Sequence, residues 1–243
     1  CAGLPPASFV VEASAAAPAM LADSAATEPS DTLLESLRNL HARQEYGQVE
    51  ALARQLVRDF PEHGAGRKYL GSALRQLGRV EESLDVHRET AQLRPDDHEA
   101  HFNLATELQQ HGQFDDALRS YMHALSLQPN NPAAYNNLSN IFKLMDLLPQ
   151  AEMYCREALK LKPNMVMAMS NLGNALHAQG KYAEAEIHYR EALALKPNWA
   201  DAYNNLAICL KDQGYGSEAK EAYRKALALK PDWAAARSNL LYA

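Results

Sequence analysis

The chain has 243 residues, 24 of them basic and 30 acidic, for a formal net charge of -6. It lacks the basic excess and the basic-aromatic stripes of a nucleic-acid binder, so no nucleic-acid partner is expected. No apolar stretch approaches the ~18 to 20 residues that span a bilayer, and three cysteines without a Cys-x-x-Cys pair predict neither a disulfide framework nor a metal site.

Residues 1–29 come first, rich in Ala, Pro and Ser and free of Lys and Arg. That excludes the basic start of a secretory signal and predicts a flexible lead. Cys1 has two readings. It is either a lipidated N-terminal cysteine, which would make the protein periplasmic or membrane-anchored, or the first residue of a fragment, which leaves the expected location cytoplasmic.

From Ser30 onward the chain repeats. Pro61, Pro95, Pro129, Pro163, Pro197 and Pro231 stand 34 residues apart, marking six units that begin at Ser30, Gly64, His98, Pro132, Val166 and Ala200 and fill residues 30–233. A period of that length predicts stacked helical hairpins. In the unit from Val166, Met169, Leu172, Gly173 and Leu176 form the apolar stripe of a first helix. Gly180 ends it, and Tyr182, Ala185, Tyr189, Ala192 and Leu193 supply the stripe of a second helix that stops before Pro197. Gly78, Gly112 and Gly214 share the slot of Gly180, whereas Asp146 replaces the turn glycine in its unit. Ala117, Ala151, Ala185 and Ala219 share a slot where small size lets the two helices approach. Cys155 and Cys209 read as small core residues. Ser36 and Leu37 make the first unit the weakest, Gly216 replaces an aromatic, and Pro149 falls in a first helical turn, where proline is tolerated. Residues 234–243 begin a closing or a further helix in which Leu240 and Leu241 are expected to pack.

No motif for chemistry appears. A phosphate-cradling Gly-x-x-x-x-Gly-Lys loop, a Gly-x-Gly-x-x-Gly turn and a Gly-x-Ser-x-Gly elbow are all missing. His98, Glu99 and His101 fall one residue short of a zinc-protease spacing, and His101 reads as a core or hairpin residue. By itself the chain is not expected to be an enzyme or to hold a cofactor.

A polar row does stand out. Asn103, Asn137, Asn171, Asn205 and Asn239 share one first-helix slot, turned away from the leucine stripe at ~100° per residue. Asn136, Asn140, Asn174 and Asn204 extend that face, with Thr106, Lys143, His177 and Lys211 along its edge. An asparagine amide offers donors and an acceptor together and so matches a peptide backbone whatever side chains it carries. Helices pack ~8 to 10 Å apart and an extended chain rises ~3.3 Å per residue, so one amide could serve each three residues of a bound segment. The other reading is that the amides bridge neighbouring helices.

The residues Tyr203, Leu206, Ala207, Leu210, Gly214, Ala219, Tyr223, Ala226 and Pro231 resemble the tetratricopeptide repeat motif. The resemblance covers Ser30 to Trp233 and implies an all-α, right-handed superhelical solenoid of helix-turn-helix units, with first helices lining the concave side, that binds protein or peptide. More narrowly, Asn136 to Leu138, Ser170 to Asn174, Asn204 to Leu206, the stretch His63 to Gly71 and the C-terminal Arg237 to Ala243 are similar to the bacterial SPINDLY family and other O-linked N-acetylglucosamine transferases. In those enzymes an asparagine ladder holds the acceptor protein. The resemblance implies the acceptor-recognition superhelix without its catalytic domain. The alternative is a free-standing scaffold or assembly adaptor. Apart from Lys68 the groove is mainly amide, which argues against a clamp for a C-terminal carboxylate.

Overall fold

The local grammar of each unit carries through to a computed structural model that describes residues 28–242, so Cys1 and most of the lead lie outside the described residues. Thirteen helices and no strands are present among the described residues. The first helices of successive hairpins are α1 (Asp31–Ala42), α3 (Gly64–Gln76), α5 (His98–Gln110), α7 (Pro132–Leu144), α9 (Val166–Ala178) and α11 (Ala200–Asp212). Their partners are α2 (Tyr46–Asp59), α4 (Val80–Leu93), α6 (Phe114–Leu127), α8 (Leu148–Leu161), α10 (Tyr182–Leu195) and α12 (Gly216–Leu229), and α13 (Ala234–Leu241) follows.

Helix ends obey the residues that make them. The Asp97 carboxylate accepts from the amides of Glu99 and Ala100, and the Asn131 amide oxygen accepts from Ala133 and Ala134, satisfying donors that the first turn leaves open. Gly78, Gly112, Gly180 and Gly214 take φ between 71° and 86°. Asp146 and Gln44 are forced to φ 60° and 61° in the same slot, where a Cβ crowds the backbone. Asp146→Gly is therefore expected to raise the unfolding free energy by about 0.5 to 1 kcal/mol, measurable as a later denaturant midpoint. Pro149 sits in the first turn of α8, where no amide is lost.

The hairpins close on the small-residue slot. Ala117, Ala185 and Ala219 are fully buried and Ala151 nearly so. Ser83 takes that slot in α4 and donates its hydroxyl to Gly71 O at 2.9 Å. Gly173 lies so close to the Tyr189 ring that a Cβ there would come within 2.7 Å of it. Cys155 and Cys209 are buried, and burial pushes both thiols up to about 11, the behaviour of core residues rather than nucleophiles. Leu37 is fully buried where other units carry Gly, Ala or Ser, and α1 packs less closely on α2 than the later pairs do. At the other end Leu240 joins the core, but Leu241 is 78% exposed, contrary to expectation. One turn of helix separates neither residue from the other, and a 100° step carries Leu241 off the packed face.

Contacts between neighbours set the curvature. α1 touches α3, α3 touches α5, α5 touches α7, α7 touches α9 and α9 touches α11, whereas successive second helices make no comparable contact. First helices therefore line the tighter, concave side. Across the second helices run ion pairs between units, such as Glu50–Arg79 at 2.7 Å, Glu152–Lys181 at 2.8 Å and Arg190–Glu218 at 3.1 Å. Lys181, Arg156 and Gln179 around Glu152 hold its carboxyl down at about 2, against the opposing effect of burial.

Candidate functional site: an amide row in the concave groove

The row slot faces the groove as its position on the wheel requires. Asn103, Asn137, Asn171, Asn205 and Asn239 are all half-buried, neither sealed in the core nor fully solvated. Asn136 and Asn204 correct the expectation that they extend this face: they are 6% and 8% exposed, because one residue back along a helix is a 100° turn toward the neighbouring unit. Asn140 and Asn174, three residues on, remain half-buried on the groove side.

Hydrogen bonds join the amides into two chains. Asn171 Nδ2 donates to Asn136 Oδ1 at 2.9 Å, Asn136 Nδ2 approaches Asn137 Oδ1 at 3.4 Å, and Asn137 Nδ2 donates to the Tyr121 hydroxyl at 2.9 Å. The Tyr121 hydroxyl in turn donates to Gln109 Oε1 at 3.1 Å. In the second chain, Asn174 Oδ1 accepts from the Tyr189 hydroxyl at 2.8 Å and from Asn205 Nδ2 at 3.0 Å. The amides thus bridge neighbouring first helices and still keep capacity in reserve. Asn171 and Asn205 each use one N–H, leaving Oδ1 and the second N–H without a partner among the described residues. Buried tyrosines fix the row from behind: Tyr121 and Tyr189 are 0% and 2% exposed. The sequence analysis placed Tyr189 in a second-helix stripe and did not single out Tyr121, although the offsets of 15 residues from Asn174 to Tyr189 and 16 from Tyr121 to Asn137 follow from the repeat.

At the end of the row, Asn204 Oδ1 is buried without a partner. Asn239 stands to it as Asn171 stands to Asn136, but no bond joins them. At the other end Asn103 borders two adjoining hollows of about 350 Å³ each between α3 and α5, which also share Lys68 and Tyr69. Lys68 is engaged by Glu99 across the seam.

Of the edge residues, Thr106 belongs to the slot of Asn140 and Asn174 rather than to that of Lys143. Its hydroxyl bonds Phe102 O at 2.9 Å and lies 3.0 Å from the Tyr121 hydroxyl. Lys143 and Lys211 are half-exposed, and His177 Nε2 is 2.8 Å from Asp212 Oδ2. The slot shared by Lys143, His177 and Lys211 also contains His41 and Arg75, which the sequence reading left out. His101 is a hairpin residue: its Nε2 lies 2.9 Å from Pro95 O and its ring stands edge-on to His123, with burial lowering its pKa.

Two family models described as tetratricopeptide repeat match residues 131–198 with 164–232 and residues 41–101, and a third described as TPR repeat matches 107–146. No curated protein sequence matches the chain. Among solved structures, a chain of the Cut9–Hcn1 hetero-tetramer of the APC/C aligns with a TM-score of 0.72 at 20% identity, over 85% of this chain and 41% of that one. MamA aligns at 0.61 and 21% identity over 67% of this chain and 95% of its own. YrrB, described as a TPR protein with an unusual peptide-binding site, aligns at 0.61 and 18% identity over 76% of this chain and 96% of its own. At these identities the likeness shows the fold alone.

Proposed function

The chain belongs to the tetratricopeptide repeat family, a protein-interaction architecture, and from that premise we propose that its concave amide row binds an extended polypeptide segment through the segment's backbone. One observation carries this reading. Asn171 and Asn205, in successive units, each present a free Oδ1 and a free N–H to the groove from a side chain already oriented by its second N–H. An amide whose rotamer is fixed beforehand loses less entropy on binding than a free one. A carboxamide matches both backbone groups of a peptide. YrrB's description as a peptide-binding repeat protein agrees with this use of the fold.

The test is a triple substitution, Asn137→Ala, Asn171→Ala and Asn205→Ala, read by fluorescence anisotropy with an end-capped dodecapeptide of four Gln-Ser-Ala repeats. Each net hydrogen bond contributes about 0.5 to 1.5 kcal/mol, so affinity is expected to fall at least about tenfold. Helicity should be unchanged, because alanine is the better helix former and offsets the lost bridging bonds. Undiminished binding would leave a scaffold that recognises partners elsewhere.

We extend the proposal to the acceptor-recognition superhelix of a SPINDLY-type protein glycosyltransferase, on the similarity of Asn136 to Leu138 and Asn204 to Leu206 to repeats of that family. In each pair the first asparagine is buried toward the neighbouring unit and the second is half-buried on the groove side. Incubation with UDP-N-acetylglucosamine and an acceptor protein should transfer no sugar, since the chain carries recognition only.

A further inference from the structure

The second unit departs from the others at one slot of its second helix, and a hollow lies where the departure leaves room. That slot holds Tyr121, Tyr189 and Tyr223 in the third, fifth and sixth units and His87 in the second. A tyrosine there crosses the small residue of the first helix and continues beyond it: the Tyr189 ring passes over Gly173, and its hydroxyl donates to Asn174 Oδ1 at 2.8 Å. Three polar groups stand around the Tyr121 hydroxyl, Thr106 at 3.0 Å, Gln109 at 3.1 Å and Asn137 Nδ2 at 2.9 Å. The imidazole of His87 is shorter. Its far edge, Nε2 and Cε1, lies against Gly71, so the ring stops where a phenol would continue.

One unit before Thr106, Gln109 and Asn137 stand Ser72, Arg75 and Asn103, and all three line the hollow of about 350 Å³ between α3 and α5, together with His87 and the rings of Tyr69 and Phe102. His87 is its one buried wall; the others are half-buried or exposed, so the hollow opens on the groove. Ser72 is engaged by His41 at 2.9 Å and Arg75 by Glu107 at 3.4 Å. Neither the Asn103 amide nor the His87 ring, 6% exposed, makes a side-chain hydrogen bond among the described residues. Other units lack this combination. In the first, Ala53 takes the slot and the matching row position is filled by the Tyr69 ring; in the fourth, Cys155 takes it, and the matching amide, Asn171, is bonded to Asn136 at 2.9 Å.

Resting on the proposal that the groove holds extended polypeptide, we infer that the bound segment carries a tyrosine whose side chain enters this hollow, with its hydroxyl accepting from Asn103 Nδ2 as the Tyr121 hydroxyl accepts from Asn137. The guest supplies the phenol that the second unit lacks. The volume falls at the lower end of the about 300 to 1,000 Å³ of sites that enclose a small organic group. Tyr69 and His41, already edge-on to each other at 5.4 Å, and Phe102 give an aromatic guest the ring neighbours it packs against best. A tyrosine also brings the polar tip that an unpaired amide needs.

Three end-capped dodecapeptides test it, each of four Gln-Ser-Ala repeats with the second Ala kept, or replaced by Phe or Tyr, titrated by fluorescence anisotropy. The Tyr peptide is expected to bind about tenfold or more tighter than the Ala peptide, through burial of its ring, and about threefold or more tighter than the Phe peptide, through its hydroxyl. Asn103→Ala should erase the margin of Tyr over Phe and keep that of Phe over Ala. His87→Tyr fills the hollow from within, as Tyr189 does over Gly173, and should bring the three peptides to equal affinity with no loss of helicity. Equal binding of the Tyr and Ala peptides to the parent, a Tyr-over-Phe margin unchanged by Asn103→Ala, or a Tyr advantage that survives in folded His87→Tyr protein overturns the tyrosine site and leaves backbone recognition standing. Failure of all three peptides to bind overturns both.

Discussion

Arg75→Ala is expected to destabilise the protein by about 3 kcal/mol, the cost of leaving a buried carboxylate without its cation. Glu107 is fully buried in α5 at the seam between the second and third units. Arg75 reaches it from α3 at 3.4 Å, and His111 is the other basic group nearby, at 3.8 Å. Glu107 Oε1 and His111 Nε2 are both buried without a hydrogen bond, so the histidine does not replace the arginine. The double variant Arg75→Ala, Glu107→Gln removes the charge with its partner and should recover most of the loss. A single variant that unfolds within 1 kcal/mol of the parent would mean that water reaches Glu107.

Lowering the pH should weaken the α3–α4 hairpin through His87, by about 3 kcal/mol at pH 4 relative to pH 7.5. His87 is 6% exposed and packed on Gly71, where the third, fifth and sixth units set Tyr121, Tyr189 and Tyr223 against Ala or Gly. Burial first, and then the nearby Arg75 charge, lower its pKa from 6.5 to about 4. Below 6.5 the unfolded chain takes up a proton that the folded chain refuses, so stability is complete above that value and declines as pH falls toward 4. Glu152 contributes separately, at lower pH: held down at about 2, it loses its stabilising effect only below the ordinary carboxylate range. His87→Phe should flatten the decline between pH 6.5 and 4.5, measured by urea unfolding at each pH. An unchanged slope in that variant would assign the acid sensitivity to another group.

The hairpin architecture was open to reading because the residues that fix it act locally. Pro197 stops a helix, Gly180 turns it and Ala185 permits close approach without reference to the rest of the chain. The amide row was legible for the same reason, through a constant offset from those marks. What sequence did not disclose depends on a neighbour one unit away. Asn136 and Asn137 are adjacent and chemically identical, and only the position of α9 decides that the first is enclosed and the second faces the groove. Tyr121 and Tyr189 look like core aromatics because their rings are, while their hydroxyls serve the row. Leu241 was expected to pack beside Leu240, but the 100° step between consecutive residues carries it off the face that meets the core.

The central claim is that the groove amides touch a guest's backbone, and the most direct measurement is the side-chain amide region of a ¹⁵N spectrum during titration with the capped Gln-Ser-Ala peptide. The NH2 resonances of Asn103, Asn171 and Asn205 should shift and saturate together, while that of Gln150, exposed on α8, stays in place. Saturable shifts at Gln150 and its neighbours with the three asparagines unmoved would contradict the account.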